Sequence, residues 1–376
     1  MSVNVSSVSA DQRLLLELLK RAVQQGATDL HVAGNAPPVL RIRGELVPQS
    51  ALGVITPEIS QRMLFSILSE YQQEEFITEK EIDLAYEAPG IGRFRVNIFF
   101  DRNAIGAAFR RIPDEPISIG KLGLPSIITK LCDKDNGLIL ITGATGSGKT
   151  TTLAGCIDYI NTHFNKHIIT IEDPIEYIHK NKKSLIRQRE VGLHTNSFNS
   201  ALRVSLRQDP DVILVGEMRD MDSVKVTLTA AETGHLVFST LHTNGAVETI
   251  ARIVDIFPGE NQGQIRVQLS ATLEGVLSQT LIPMPNGKGM ALACEILVAT
   301  PAVRNVIRDG RMHTMKGLME IGTEAGMQTM EYSLKELYLR GKITYEDAEA
   351  RVSDIEGFKK LIGALPSDNV TGAEGI

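Results

Sequence analysis

The chain has 376 residues, more than the ~250–300 at which a single hydrophobic core stops growing, so its length predicts two domains. Its 43% hydrophobic and 22% charged residues are typical of a globular protein, and its net charge of -6 gives no electrostatic reason to expect nucleic acid as a partner. No apolar run reaches the ~18 residues needed to span a bilayer, and the first segment, MSVNVSSVSA, lacks the features of a secretory signal. We therefore expect a cytoplasmic protein that associates with a membrane only through a partner.

The N-terminal part alternates between helix and strand patterns. Residues 11–25 place their apolar side chains on one helical stripe, and residues 57–73 begin with a proline, as many helices do. Short alternating strands are predicted between these helices, followed by a hairpin over 82–100 and one more strand that ends at Pro113. Strands and two helices together predict a small α+β domain over residues 1–112.

The composition changes after residues 113–120, PDEPISIG, whose two prolines and glycine predict a linker. Beyond it, apolar strand-like runs alternate with helical stretches, which indicates a parallel sheet covered on both faces. The runs are LILIT, HIITI, VILVG and HLVFST. From about residue 300 onward the pattern is helical. The sequence therefore predicts an α/β domain with C-terminal helices over residues 121–355 and a disordered tail over 356–376.

The three cysteines, Cys132, Cys156 and Cys294, are far apart in the sequence, and the spacing CxxC does not occur. This pattern is typical of a reducing compartment and predicts neither a disulfide framework nor a zinc site built from thiolates. We expect these cysteines to act as small buried apolar side chains.

A phosphate-binding loop follows the run LILIT. Gly143, Gly148, Lys149 and Thr150 fit the pattern G-x-x-x-x-G-K-[ST], placed between a strand and a predicted helix. Glycines let backbone N–H groups point at phosphate oxygens, the lysine reaches the β- and γ-phosphates, and the threonine hydroxyl binds Mg²⁺. The sequence thus predicts ATP and Mg²⁺ as ligands. The residues predicted to bind the nucleotide are Gly143, Ala144, Thr145, Gly146, Ser147, Gly148, Lys149, Thr150 and Thr151.

Candidate catalytic side chains follow other predicted strands. Glu217 follows the run VILVG, and we expect it to orient or deprotonate the attacking water and to hold Mg²⁺ through water. Glu172 ends another strand as a second candidate acid, while the adjacent Asp173 is either an acid of the site or part of an Asp-Pro turn. His242 follows a strand and is placed to sense a γ-phosphate, whereas His235 precedes that strand and favours a structural role.

Arginines are concentrated in the predicted N-terminal domain, where residues 93–111 carry a net charge of +4. They are Arg93, Arg95, Arg102, Arg110 and Arg111, against the single acid Asp101. The charge that develops in phosphoryl transfer is commonly met by an arginine from elsewhere in the protein. A solvated basic strand face, or a patch for an acidic partner, is the alternative.

These motifs together resemble the secretion-ATPase superfamily, and most specifically its type IV pilus retraction ATPases, the PilT family. In the predicted α/β domain the likeness is carried by GATGSGKTTTLA, TIEDPIEYIH, QREVG, ALRVSLRQDPDVILVGEMRD and TAAETGHLVFSTLHT. It extends to GATDLHV, PPVLRIRGEL, GRFRVNIFFDRNAIGAAFRRIP and GMQTMEYSLKELYLRGKIT, and so runs from about residue 15 to 352.

The resemblance implies a fold and an assembly. The fold is a RecA-like P-loop ATPase domain with a smaller N-terminal PAS-like α+β domain, and the assembly is a cytoplasmic homo-hexamer with ATP at the junction of both domains. Glu217 takes the place of the Walker B glutamate, Glu172 and Asp173 form the acidic box, and His235 and His242 form the histidine box.

The resemblance also implies partners and a role for two arginines. Arg95, Arg102 and Arg110 lie within stretches that match the family's arginine-bearing hairpin, and of these we expect Arg102 and Arg110 to supply positive charge to the nucleotide. The implied function is pilus retraction and twitching motility, driven by ATP hydrolysis through a platform protein of the inner membrane. The protein would then lie at the periphery of that membrane, with an accessory retraction ATPase as a further partner and no nucleic acid.

Two features distinguish retraction motors from their relatives. Pilus-extension and type II secretion motors usually carry a tetracysteine zinc insertion, and CxxC is absent here. Retraction motors carry a C-terminal helix close to AIRNLIRE, and residues 302–309 read AVRNVIRD, although an ordinary amphipathic surface helix would also fit. The alternative functions are an extension or type II secretion motor, a DNA-translocating P-loop ATPase and a non-hydrolysing nucleotide-binding regulator.

Overall fold

The computed structural model describes residues 9–42, 44–113, 115–285, 287, 289–352 and 354–363. These residues fall into two compact units. The first lies within residues 1–116 and 174–178, and the second within 117–173 and 179–376. The first division between the units falls inside the segment 113–120 that the sequence predicts to be a linker.

The first unit combines three helices with one antiparallel sheet. Its elements are α1 (Ala10–Gln24), β1 (Asp29–Val32), β2 (Val39–Ile42), β3 (Glu45–Pro48), α2 (Pro57–Phe65), α3 (Glu70–Glu79), β4 (Glu81–Ala88), β5 (Gly92–Asp101) and β6 (Ala104–Ile112). The described strands have the order β3-β2-β1-β6-β5-β4, and every neighbouring pair is antiparallel. An apolar cluster that includes Leu19, Met63, Phe76 and Phe109 joins the helices to the sheet. The α+β prediction for this unit is confirmed.

The prediction of a single helix over residues 57–73 is wrong, because a turn separates α2 from α3. Ser69 is the N-cap of α3. Its hydroxyl accepts a hydrogen bond from the backbone N–H of Gln72 at 3.3 Å, and the side chain of Gln72 accepts one from the N–H of Ser69 at 3.0 Å. This reciprocal capping box satisfies N–H groups that the first turn of a helix leaves unpaired, so it stabilises a new helix start at this point.

The second unit is built on a largely parallel sheet. Its elements up to residue 298 are α4 (Ile127–Cys132), β7 (Gly137–Thr142), α5 (Lys149–His163), β8 (His167–Glu172), β9 (Leu185–Glu190), α6 (Phe198–Ser205), β10 (Val212–Val215), α7 (Met221–Glu232), β11 (Leu236–Leu241), α8 (Ala246–Asp255), α9 (Gly259–Thr272), β12 (Leu273–Pro283) and β13 (Met290–Val298). The described strands have the order β13-β12-β7-β11-β10-β8-β9, and only the pair β12–β13 is antiparallel. Strands β7, β8, β10 and β11 confirm the four predicted apolar runs.

The C-terminal region is helical, as the sequence predicts, but its last helix extends further than expected. The helices are α10 (Pro301–Asp309), α11 (Met315–Ile321), α12 (Met330–Leu339), α13 (Tyr345–Glu349) and α14 (Ile355–Leu361). The disordered tail predicted from residue 356 is therefore wrong for 356–361, because Phe358 is buried in an apolar cluster with Leu334. Residues 364–376 of that tail lie outside the described residues. No helix in the described ranges combines the length and apolarity that a membrane crossing needs.

The helix predicted over residues 302–309 is present as α10, and it packs closely on its neighbours. Val303 and Ile307 are fully buried on its inner face. Arg304 also faces inward, donating hydrogen bonds to the carbonyl of Ser270 near the end of α9 at 2.9 Å and to Glu274 at 2.6 Å. Arg304 thus fixes α10 against the C-terminus of α9, where a positive charge also favours the helix dipole.

The cap of α14 provides a test of this C-terminal helix. Asp354 is the N-cap, and its carboxylate accepts a hydrogen bond from the N–H of Gly357 at 2.9 Å. Replacing an N-cap aspartate by alanine usually costs about 1 kcal/mol, so Asp354→Ala is expected to reduce hydrogen-exchange protection in α14 about fivefold. Glu356→Ala, on the exposed face of the same helix, is the control and should leave protection nearly unchanged. Equal protection in Asp354→Ala and wild type would contradict this capping.

Candidate nucleotide-binding site

Four neighbouring parallel strands bring the predicted site residues to one edge of the sheet. Strands β7, β11, β10 and β8 lie side by side in that order, so their carboxyl ends meet at the same edge. Segment 143–151 follows β7, His242 follows β11, Glu217 follows β10 by two residues, and Glu172 ends β8. Ligands of open α/β folds bind at this edge. The predicted nucleotide-binding residues are therefore placed together with three of the five predicted catalytic residues.

The glycines of segment 143–151 have backbone conformations that other residues rarely adopt. Gly143 has a φ of 139°, and a Cβ there would lie 2.3 Å from the carbonyl oxygen of Gln279. Gly148 has a φ of 89° and would place a Cβ 3.1 Å from the Gln279 side chain, whereas Gly146, with a φ of 79°, has open space around it. The loop can therefore curl closely against β12 and continue directly into α5. Backbone N–H groups of such a loop and of the helix N-terminus point in a common direction, which is the arrangement that binds phosphate.

Side chains around the loop fit a phosphate ligand. The Nζ atom of Lys149 lies over the loop, 2.8 Å from the carbonyl of Gly143. Gln279 donates a hydrogen bond to the carbonyl of Ser147 at 2.7 Å and so anchors the loop to β12. Within the described structure, the buried Ser147 Oγ and Gln279 Oε1 have no hydrogen-bond partner. Thr150, the predicted Mg²⁺ ligand, lies in the first turn of α5. Buried polar atoms usually have partners, so these residues fit a polar ligand in the loop.

Glu217 is held between two side chains at the end of β10. Its Oε2 accepts a hydrogen bond from Arg219 Nε at 2.8 Å, and its Oε1 lies 3.3 Å from His242 Nε2. The hydrogen bond to Glu217 raises the pKa of the Arg219 guanidinium, and the nearby charges of Glu217 and Asp173 raise it further. The contact with His242 brings together two residues that the sequence places on different strands. Arg219 was not among the predicted site residues, although it lies only two positions beyond Glu217.

Glu172 is positioned by two neighbouring strands. Its Oε1 accepts hydrogen bonds from the buried hydroxyl of Thr170 at 2.6 Å and from Gln188 Nε2 at 3.1 Å. Gln188 lies on β9 and is itself fixed, because its Oε1 accepts a hydrogen bond from the N–H of His179 at 2.8 Å. Sequence reasoning gave Gln188 no role, although this residue begins the motif QREVG, because β9, LIRQRE, lacks the apolar run of a buried strand. The pairing of β9 with β8 places Gln188 opposite Thr170 and so brings its side chain to Glu172.

The two histidines of the predicted histidine box lie at opposite ends of β11. His242 is at the carboxyl end, beside Glu217, whereas His235 immediately precedes the strand. The Nδ1 atom of His235 lies 2.9 Å from the carbonyl of Ala230 and 3.2 Å from the hydroxyl of Thr233. These contacts join the end of α7 to the start of β11, which agrees with the structural role that the sequence favours for His235.

The two predicted charge-supplying arginines belong to the first unit. Arg102 is exposed in the turn between β5 and β6, where its φ is 55°. Arg110 lies on β6 and donates a hydrogen bond from Nε to Asp29 on β1 at 2.9 Å. Burial alone would raise the pKa of Asp29, but hydrogen bonds from Thr28 and Arg110 outweigh burial and hold that pKa below its ordinary value.

The pair of Asp29 and Arg110 has a measurable consequence. Because the pKa of Asp29 is lowered, its ionised form stabilises the fold above its unfolded-state pKa, and this contribution is lost as the pH falls through the folded-state pKa, below 3.8. Arg110→Gln should therefore raise the pKa of Asp29 in an NMR titration. Arg102→Gln, in the exposed turn, is the control and should leave it unchanged. An unchanged pKa in Arg110→Gln would show that Arg110 does not stabilise the carboxylate.

Known proteins match this chain over most of its length. Residues 118–342 match the family model described as Type II/IV secretion system protein. A relative from Pseudomonas aeruginosa, named Type IV pilus retractation ATPase PilT, is 44% identical over 344 residues, which are 92% of this chain and 99% of the relative. The chain belongs to the PilT family. A second relative from that organism, named Type IV pilus ATPase PilU, is 41% identical over 92% of this chain and 90% of its own length.

A solved structure supports the same assignment for this PilT-family chain. A crystal structure of the pilus retraction motor PilT with bound ADP covers 92% of this chain and 99% of its own chain, with 47% identity and a TM-score of 0.87. The predicted α/β fold, a RecA-like P-loop ATPase domain with a smaller PAS-like N-terminal domain, is thereby confirmed. The family resemblance that the sequence motifs indicate is confirmed as well.

Proposed function

We propose that this PilT-family chain is an ATP-hydrolysing motor that drives type IV pilus retraction, the movement behind twitching motility. The observation that carries the proposal is the sheet edge at which segment 143–151, Glu217, Glu172 and His242 meet. Two comparisons support it: the relative PilT is named a retraction ATPase, and a similar PilT chain binds ADP. ATP is accordingly the proposed substrate, with Mg²⁺ as its counterion.

The proposed binding of ATP uses the loop between β7 and α5. The N–H groups of residues 143–151 would donate to phosphate oxygens, reinforced by the positive end of the α5 dipole. Lys149 would turn its ammonium group from the loop carbonyls to the β- and γ-phosphates. Mg²⁺, when bound through Thr150 and across a water to Glu217, would offset part of the phosphate charge.

The proposed catalytic step depends on Glu217. Its carboxylate would orient the attacking water and accept its proton as the new bond to the γ-phosphorus forms and the bond to the β-phosphate oxygen breaks. Arg219 and His242 hold this carboxylate in one position, which reduces the entropy lost on reaching the reactive geometry. Glu172, fixed by Thr170 and Gln188, would assist as a second acid of the metal shell. Arg102 and Arg110 are proposed as further sources of positive charge on the basis of the family motif.

The proposed assembly is a cytoplasmic homo-hexamer at the periphery of the inner membrane. A pilus platform protein would hold it there and receive its movement, and a second retraction ATPase would be an accessory partner. Support comes from membership of the PilT family and from the similarity to PilU, itself named a pilus ATPase. The proposal includes no nucleic acid, because the net charge is -6.

A pilus-extension or type II secretion motor is the alternative that lies nearest to this proposal. The sequence weighs against it, because CxxC, which a tetracysteine zinc insertion requires, does not occur. The helix α10 is present at the position of the retraction helix and reads PAVRNVIRD. Strong stimulation of ATP turnover by DNA would support a DNA-translocating ATPase. The absence of ATP turnover would support a non-hydrolysing regulator.

Imaging of labelled pili on living host cells tests the proposal directly. Host cells that lack this gene would be complemented with the wild-type gene or with Glu217→Ala. Pili that extend but never retract, with rescue only by the wild type, are the expected result. Cells without pili would indicate an extension motor, and unchanged pilus dynamics would exclude a role in retraction.

A further inference from the structure

We propose that a cavity behind Glu217 binds inorganic phosphate, with Arg252 as its principal ligand. The inference rests on the proposed function, since ATP hydrolysis would release the phosphate. It adds a product site to that function, distinct from the loop that holds the nucleotide. Three observations carry it: the composition of the cavity, the charge of its walls and the connection of Arg252 to the nucleotide-binding loop.

The cavity has a volume of ≈ 200 Å³ and a predominantly polar lining. Its polar side chains are Glu217, Arg219, His242, Thr243 and Arg252. Since one water molecule occupies ~30 Å³ of the liquid, the space is sufficient for a small tetrahedral anion together with a few waters. Glu217 and His242 belong both to this cavity and to the proposed catalytic edge, so phosphate leaving that edge would reach the cavity without crossing the sheet.

The charges of the cavity wall favour an anion. Glu217 is the acid among the lining residues, and it is paired with Arg219 at 2.8 Å and lies 3.3 Å from His242. Arg252 is exposed and has no ion pair among the described residues, so the wall keeps a net positive charge even when His242 is neutral. A guanidinium group offers parallel N–H donors that match two oxygens of a phosphate. The chemistry therefore fits a phosphate better than a cation or an apolar ligand.

Arg252 is also connected to the strand that carries the nucleotide-binding loop. It lies on α8, one turn after Thr249. The hydroxyl of Thr249 is 3.4 Å from that of Thr142, the last residue of β7, and 2.7 Å from that of Thr243, which lines the cavity. A phosphate bound at Arg252 would thus contact the helix that is hydrogen-bonded to the base of the loop. Release of this phosphate could then be linked to the nucleotide state of the same subunit.

Equilibrium dialysis of radiolabelled inorganic phosphate against the full-length protein tests this site. Saturating ADP occupies the nucleotide loop throughout, and ADP affinity is measured separately for each variant. The variants are Arg252→Gln, Arg252→Lys and, as a matched control, Arg340→Gln, an exposed arginine at the C-cap of α12 that pairs with Glu336. We expect saturable phosphate binding in the wild type and in Arg340→Gln. Arg252→Gln should bind phosphate at least ~10-fold more weakly with ADP affinity unchanged, and Arg252→Lys should be intermediate.

Three results would overturn the proposal. They are the absence of saturable phosphate binding in the wild type, equal phosphate affinity in Arg252→Gln and wild type, and an equal loss of phosphate and ADP affinity in both Arg252 variants. The last result would place Arg252 in the nucleotide site itself. ATP turnover, measured in parallel, distinguishes a failure of the phosphate site from a failure of the proposed ATP hydrolysis. Turnover without phosphate binding refutes only this site, whereas phosphate binding without turnover keeps the site and refutes the proposed hydrolysis.

Discussion

Glu217→Ala is expected to reduce ATP turnover at least ~100-fold while leaving ATP binding intact, as the loss of a positioned catalytic group often does. The carboxylate follows β10, and β11 separates this strand from β7, which leads into the nucleotide-binding loop. Arg219 and His242 hold the carboxylate in place. The substitution leaves segment 143–151, which is proposed to bind the phosphates, unchanged. Single-turnover phosphate production and equilibrium binding of an ATP analogue would measure the two effects separately.

A matched control is available for this experiment. Glu260→Ala removes an exposed glutamate from the first turn of α9 and should keep turnover close to the wild-type rate. Glu217→Gln preserves the shape of the side chain but removes its charge and basicity, so it should be nearly as slow as Glu217→Ala. Turnover near the wild-type rate in Glu217→Gln would contradict a role in accepting the proton. The catalytic role would then pass to Glu172, which lies at the same edge.

The parts of the fold that the sequence predicts correctly are those set by local pattern. Four apolar runs became β7, β8, β10 and β11, because a strand buried on both faces of a parallel sheet must be apolar along its whole length. The pattern of segment 143–151 predicts a glycine-rich loop between a strand and a helix, and in the structure this segment joins β7 to α5. The placement of Glu217, Glu172 and His242 follows from the same rule that strand ends meet at one edge.

The features that the sequence does not predict depend on contacts between distant residues. Gln188 and Gln279 are ordinary polar residues until β9 pairs with β8 and β12 pairs with β7, which brings them to Glu172 and to the loop. The helix α14 looks like the start of a polar tail, but its single phenylalanine is buried against a cluster contributed by β12, β13 and α12. Periodicity reports which face of an element is apolar, and it does not report which partner covers that face.

Gly143→Ala is expected to weaken ATP binding at least ~100-fold, because the loop cannot keep its present path with a side chain at this position. The added Cβ would lie 2.3 Å from the carbonyl oxygen of Gln279 and 2.6 Å from the hydroxyl oxygen of Ser147. The φ of 139° is also unfavourable for any residue with a Cβ. Since the carbonyl belongs to the backbone of β12, the loop must move instead, and its N–H groups then lose their common direction toward the phosphates.

Gly146→Ala is the matched control, because it places the same methyl group in the same loop. Gly146 also has a positive φ, 79°, but no atom lies within 4 Å of the position its Cβ would take. Its backbone strain of about 1–2 kcal/mol should weaken ATP binding by no more than ~30-fold. Thermal unfolding of both variants would show whether the sheet remains intact. Equal ATP affinities for the two variants would mean that the contact between the loop and β12 does not set the geometry of the nucleotide site.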